Sequence, residues 1–204
     1  MTSRKFPVFY EHLEGGRIHG ISPPPDGYEG EYSSQIKEVY SLFKTIQSKT
    51  WETVSTAENY ECQKLQEGND PLATTKGITR CVGYPPEHVL AVIMTFGARS
   101  MWDTFFESGK LVEVVNRSFN LGYAAMKGIW PVSSRDTCVV SYIERKENGQ
   151  ILQFTKSVTH PQCKEEKGRT RAEVDIAAWM LEPYEENGII STKVNSQYFM
   201  YCLI

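Results

Sequence analysis

At 204 residues, of which 40% are apolar, the chain has the material for one hydrophobic core with a tail rather than for two domains. Lysine plus arginine number 22 and aspartate plus glutamate 25, so the net charge of −3 gives no electrostatic reason to expect a nucleic-acid partner or attraction to an anionic membrane. Five cysteines without paired spacing, no secretory signal and no stretch near the roughly 18 apolar residues of a membrane span predict free thiols in a cytoplasmic protein, whose membrane contact is peripheral and transient.

Gly15, Gly16, Gly20 and the run Pro23-Pro24-Pro25-Asp26-Gly27 hold neither helix nor central strand, so residues 1–30 read as a flexible lead-in and 31–204 as the domain. Ile36, Val39, Tyr40, Phe43 and Ile46 recur at three and four residues, which predicts an amphipathic helix over 34–47. Strands are expected over Trp51–Lys64 and Thr74–Val82, parted by a turn at Gly68-Asn69-Asp70-Pro71. Pro85-Pro86-Glu87 opens a helix reaching Phe96, and Gly97 separates it from a second short helix carrying Arg99 to Phe106. Six strands follow, over 111–117, 119–128, 136–145, 151–159, 170–180 and 189–203, with hairpin links such as Glu147-Asn148-Gly149 and Asn187-Gly188. The order is α+β with a curved antiparallel sheet.

Two strand faces are small: Gly122, Ala124, Met126 and Gly128 on one, Ala172, Val174, Ile176 and Ala178 on the other. Such faces either let a helix pack close or leave volume for a ligand.

The most informative residues are Ile129-Trp130-Pro131-Val132-Ser133-Ser134-Arg135-Asp136, then Ser157-Val158-Thr159-His160-Pro161 and Gly168-Arg169-Thr170-Arg171-Ala172-Glu173, preceded by Arg99 and Trp102-Asp103. In this order they resemble the START domain family, the steroidogenic-acute-regulatory-protein-related lipid-transfer modules, over about residues 34–197. Within that family Val112 to Asp136 is most similar to the ceramide-transfer protein. The resemblance implies a helix-grip fold, a curved antiparallel sheet around a hydrophobic tunnel with packing helices. It implies one lipid ligand, whether sterol, diacylglycerol, ceramide-like or phospholipid, held for intermembrane transfer without catalysis, cofactor or metal. A non-transferring lipid sensor, which needs the same cavity, and a protein-interaction module are the alternatives.

Carried over by residue, Arg99 and Asp103 match a charged pair at the polar end of the family's cavity, and Ala124, Met126 and Thr155 fall on ligand-facing positions. Spacing of four supports the pair, because such residues share a helix face and a buried charge is tolerated when paired. Ala124 and Thr155 replace the glutamine and asparagine of the ceramide-transfer protein, and the choline cage falls on the non-aromatic Ala124 and Thr137, which favours a less polar ligand. Trp130 matches an exposed tryptophan that enters the bilayer. The family's last strand leads into a helix that closes the tunnel; here the sequence ends at Ile204 without that lid helix, so the expectation is either a truncated or alternative product, or that the 34–47 helix or a second subunit covers the opening.

Other chemistry is poorly furnished. Cys138 or Cys163 with His160 offers a distant thiol-hydrolase reading but no oxyanion turn accompanies it. His160 and Cys163 supply only two zinc-type ligands. Arg135 and Asp136 read as a structural pair entering a strand after the tight Ser133-Ser134 turn.

Overall fold

The computed structural model describes residues 25–65 and 74–202. The turn expected at Gly68-Asn69-Asp70-Pro71 and most of the lead-in lie outside them. Helices α1 (Ser33–Gln47), α2 (Pro86–Met94) and α3 (Phe96–Arg99) accompany nine strands: β1 (Trp51–Ala57), β2 (Tyr60–Leu65), β3 (Thr75–Cys81), β4 (Phe106–Asn116), β5 (Phe119–Met126), β6 (Arg135–Arg145), β7 (Ile151–Ser157), β8 (Thr170–Glu186) and β9 (Ile189–Cys202). They form one curved sheet in the order β1-β2-β3-β9-β8-β7-β6-β5-β4, with antiparallel neighbours and a short parallel contact of β6 with β8. This is the helix-grip arrangement of the expected α+β fold.

Local differences from the sequence expectations have physical causes. Trp51–Lys64 is a hairpin rather than one strand, because the chain reverses after Ala57 and pairs it with Tyr60. The helix expected from Arg99 to Phe106 ends at Arg99, its first residue, and Gly97 lies inside the single turn of α3. Beyond it the carboxylate of Asp103 accepts the backbone N–H groups of Phe105 and Phe106, a local bond that competes with helix continuation. Asn187 and Gly188 both have positive φ, 54° and 76°, the backbone that a two-residue hairpin turn needs. Tyr28, inside the expected lead-in, already packs on Phe119 and Tyr142 at centroid distances of 5.3 and 5.5 Å.

Strand alternation sorts side chains into two layers. On the convex face, Ile36, Val39, Phe43 and Ile46 of α1 meet Phe119, Leu121, Val140, Tyr142, Leu152, Phe154 and Ala178. Phe43 and Phe154 meet edge to face at 5.0 Å, which adds about 0.5–1.5 kcal/mol to their burial. The alternating residues point the other way. Helix α1 therefore backs the sheet instead of covering the opening, and that expectation is corrected. On the concave face, Leu90 of α2 is buried against Ile143, Ile151, Leu181 and Val194. A bidentate contact fixes its start: Arg145 Nε and Nη2 reach the Glu87 carboxylate at 2.7 and 3.3 Å.

Candidate functional site

Between α2–α3 and the concave face lies a cavity of about 170 Å³. Its floor comes mainly from alternate residues of four strands: Asn120, Gly122, Ala124 and Met126 on β5, Thr137, Val139 and Ser141 on β6, Gln153 and Thr155 on β7, and Ala177 and Trp179 on β8, with Tyr123, Val174 and Ile176 also reaching it. Ile93, Met94, Phe96, Arg99 and Trp102 form the roof. The small β5 face read from sequence is thus cavity wall as far as Met126. The β8 face holds only in part: Val174 and Ile176 reach the cavity, but the pairing with β9 shifts between them. The extra residue of this bulge moves Ala178 to the α1 side and brings Ala177 and Trp179 to the cavity.

Glycine serves here through close approach. A Cβ at Gly122 would stand 3.0 Å from Phe96 Cζ, and one at Gly109 would collide with the same ring. Two missing side chains therefore let Phe96 lie down on the sheet, roughly parallel to Phe106 at 6.3 Å.

Arg99 lines the cavity at the end of α3, its Nε 2.9 Å from Asp103 Oδ2, and both side chains are largely screened from solvent. The guanidinium stands over the rings of Phe106 and Trp102, 5.2 and 5.8 Å from their centroids. Its Nη groups have no hydrogen-bond partner among the described residues. Asp103 is not a wall residue; it sits behind Arg99 and holds it while capping the turn. Trp102 meets Trp179 edge to face at 6.4 Å across the cavity. Ala124, Met126 and Thr155, read from sequence as ligand-facing, share this wall with Arg99.

Asn120, Ser141 and Gln153 were missed, although the register would have found them. Asn120 stands opposite Ser141, and Ser141 opposite Thr155. Ser141 and Thr155 hydroxyls are 3.2 Å apart, and Gln153 Nε2 donates to Thr155 Oγ1 at 2.5 Å and to the Phe154 carbonyl at 3.3 Å.

Trp130 lies at the tip of the β5–β6 hairpin and is 93% exposed, flanked by exposed Ile129 and Val132. The turn after α3 adds Met101, Trp102 and Phe105, also exposed. The two segments are joined by the Lys127 amide, which donates to the Phe105 carbonyl at 2.8 Å. No helix among the described residues is long and apolar enough to cross a membrane.

Arg135 and Asp136 open β6, but they do not pair with each other: Asp136 accepts from Arg171 Nε at 2.7 Å and Tyr123 Oη at 3.0 Å, while Arg135 Nη1 donates to the Ser133 carbonyl at 3.2 Å. Cys138 and Cys163 are buried in a separate cluster with Tyr123 and Ala125. Burial, with the neighbouring Cys163 thiol, pushes the Cys138 thiol up to about 12, which suppresses the thiolate a nucleophile needs. His160 Nδ1 accepts the Gln162 amide at 3.2 Å, a turn role.

Comparison with known proteins agrees with the fold. The START domain family pattern matches residues 34–204. An Arabidopsis thaliana protein, Protein ENHANCED DISEASE RESISTANCE 2-like, is 28% identical over 116 residues, 53% of this chain and 16% of its own length, so the chain spans a small part of that relative. Among solved structures, the human StAR-related lipid transfer protein 5 aligns with TM-score 0.71 at 16% identity, covering 83% of each chain. The human StarD13 (DLC2) lipid transfer and protein localization domain aligns with TM-score 0.65 at 22% identity, covering 86% of this chain and 84% of its own.

Proposed function

The chain belongs to the START domain family, and from that premise we propose that it holds a single lipid in the cavity under α2–α3 and carries it between membranes, without catalysis. The observation that carries this reading is a mostly small and apolar floor, Gly122, Ala124, Val139 and Ala177, interrupted by a few convergent polar groups beneath a roof of two short helices. Free cysteines at 62, 81, 138 and 163 favour a reducing compartment, and we place the protein in the cytoplasm.

The cavity's 170 Å³ is below the roughly 300–1,000 Å³ of sites that engulf a drug-sized ligand. Loading therefore requires the roof to lift, and rotation of Phe96 off Gly109 and Gly122 would open the floor beneath it. Mass spectrometry of an organic extract of the purified protein is expected to show one lipid class near equimolar amount. A protein that takes up no lipid, from cells or from vesicles, overturns the reading. Vesicle-to-vesicle transfer separates carriage from sensing.

Trp130, with Ile129, Val132, Met101 and Phe105, forms the surface we assign to the bilayer, because exposed apolar side chains on two linked loops beside the roof serve as door and anchor together. Burying one such side chain in the headgroup region contributes about 1.5–3 kcal/mol. Trp130→Ala is expected to weaken binding to neutral vesicles about tenfold or more with an unchanged melting temperature. Absence of a blue shift from a protein retaining only Trp130, on adding such vesicles, would rule out the membrane role.

A further inference from the structure

Cys138 and Cys163 are distant in sequence and side by side in the fold. Cys138 is on β6, and Cys163 lies in the turn that follows β7, where its amide donates to the His160 carbonyl at 2.9 Å. Both are buried, 1% and 5% exposed, in one cluster with Tyr123 and Ala125, and neither lines the cavity. After burial itself, the neighbouring Cys163 thiol is the strongest influence on the Cys138 thiol. Cys163 is the one buried residue of the stretch 161–168, whose other members are all exposed. Arg171 Nη2 donates to its carbonyl and to that of Lys164, at 3.1 and 3.3 Å. A single thiol therefore pegs an otherwise solvated loop onto a strand of the sheet.

A loop held by few buried contacts opens more readily than a strand paired within a sheet. Cys138 pairs with Tyr123 of β5, and its carbonyl accepts the Val158 amide at 2.9 Å. Opening of the turn therefore uncovers Cys163 while Cys138 stays in place. Burial keeps Cys138 protonated, which leaves the first attack on an oxidant to Cys163. When the turn closes again, the Cys163 sulfur returns to that of Cys138. Two thiols delivered to one another in this way need only a two-electron oxidant to join.

We propose that Cys138 and Cys163 form a reversible disulfide when the protein meets a hydroperoxide, a covalent peg in place of the apolar one. The Cys163 thiolate attacks one peroxide oxygen. An S–O bond forms, the O–O bond breaks, and the other oxygen leaves as an alcohol, or as water from hydrogen peroxide, with the proton that the thiol lost. The Cys138 sulfur then attacks the Cys163 sulfenic acid; the S–S bond forms, the S–O bond breaks, and hydroxide leaves as water with the Cys138 proton. The two sulfurs give up two electrons and the peroxide bond takes them. Exchange with a dithiol reductant restores both thiols. The staple secures the loop that carries Arg169, whose guanidinium reaches the Glu107 carboxylate of β4 at 2.8 and 2.9 Å and Ser134 Oγ at 3.0 Å. It is independent of what the cavity holds.

The first measurement uses the unsubstituted chain. Reduced protein is treated with hydrogen peroxide, its remaining thiols are blocked with iodoacetamide, and the unreduced digest is mapped by mass spectrometry. A peptide pair joining Cys138 to Cys163 is expected, and it should separate on treatment with dithiothreitol. The oxidised protein should melt roughly 5 °C or more above the reduced one. Without peroxide, iodoacetamide should label Cys163 of the folded protein faster than Cys138. Cys163→Ser and, independently, Cys138→Ser should abolish the peroxide-dependent rise in melting temperature. Absence of the link, a link that forms only after denaturation, or sulfinic acid at Cys163 in its place overturns the proposal. So does a linked protein that melts no higher, a rise that persists in either variant, or faster labelling of Cys138. The mapping decides the matter even where a variant fails to fold.

Discussion

Asp136→Ala is expected to destabilise the protein more than any cavity substitution, by about 3–5 kcal/mol, seen as a fall in melting temperature of roughly 10 °C or more. The carboxylate is 1% exposed and joins three parts of the chain. It accepts from Arg171 Nε and Nη2 at 2.7 and 3.2 Å and from the Tyr123 hydroxyl at 3.0 Å. The Asp136 carboxylate raises the guanidinium of Arg171 above its ordinary value, and burial followed by Asp136 raises the Tyr123 phenol. Alanine leaves a half-buried cation with only the Cys163 and Lys164 carbonyls to bond. Because neither Asp136 nor Arg171 lines the cavity, and Tyr123 alone of the partners reaches it, the order of lipid preference should not change. A variant that melts normally, or that selects a different lipid, would contradict the structural role.

The second large effect is on ligand retention. Arg99→Leu should lower lipid occupancy of the purified protein at least severalfold while costing about 1–2 kcal/mol of stability, between the values of exposed and buried ion pairs. The smaller cost follows from Asp103, which keeps its two backbone N–H donors when the guanidinium is gone. Retention falls because the guanidinium stands over Trp102 and Phe106, at the end of the roof. Unchanged occupancy together with an unchanged melting temperature would show that the pair has no part in holding the ligand.

How much of this was legible in the sequence depended on the range of the interaction. The 3.6-residue recurrence of Ile36, Val39, Phe43 and Ile46 announced α1, and Pro85-Pro86 announced α2, since both signals are local. Which side of the sheet α1 covers was not legible, because an apolar stripe states only that something apolar faces it. The β8 face was misassigned beyond Ile176 for the same reason: a bulge is set by cross-strand pairing with β9, and alternation counted through it places every later side chain on the wrong side. Arg99 and Asp103 were legible as a pair, while the Asn120 row was not, because its members are scattered over three strands and meet only through register. Asn120 in isolation reads as an ordinary polar residue of a strand.

The placement of α1 behind the sheet has a consequence for how such a molecule diversifies. Phe43, Phe154 and their neighbours on the convex side anchor the sheet independently of the side chains that meet a guest. Under the proposed function, substitutions at the cavity positions Ala124, Thr137 or Asn120 would accumulate as ligand preference drifts, drawing little on the stability reserve that α1 maintains. The scaffold and the recognition surface occupy opposite sides of the same backbone, so selection can act on one while leaving the other nearly untouched.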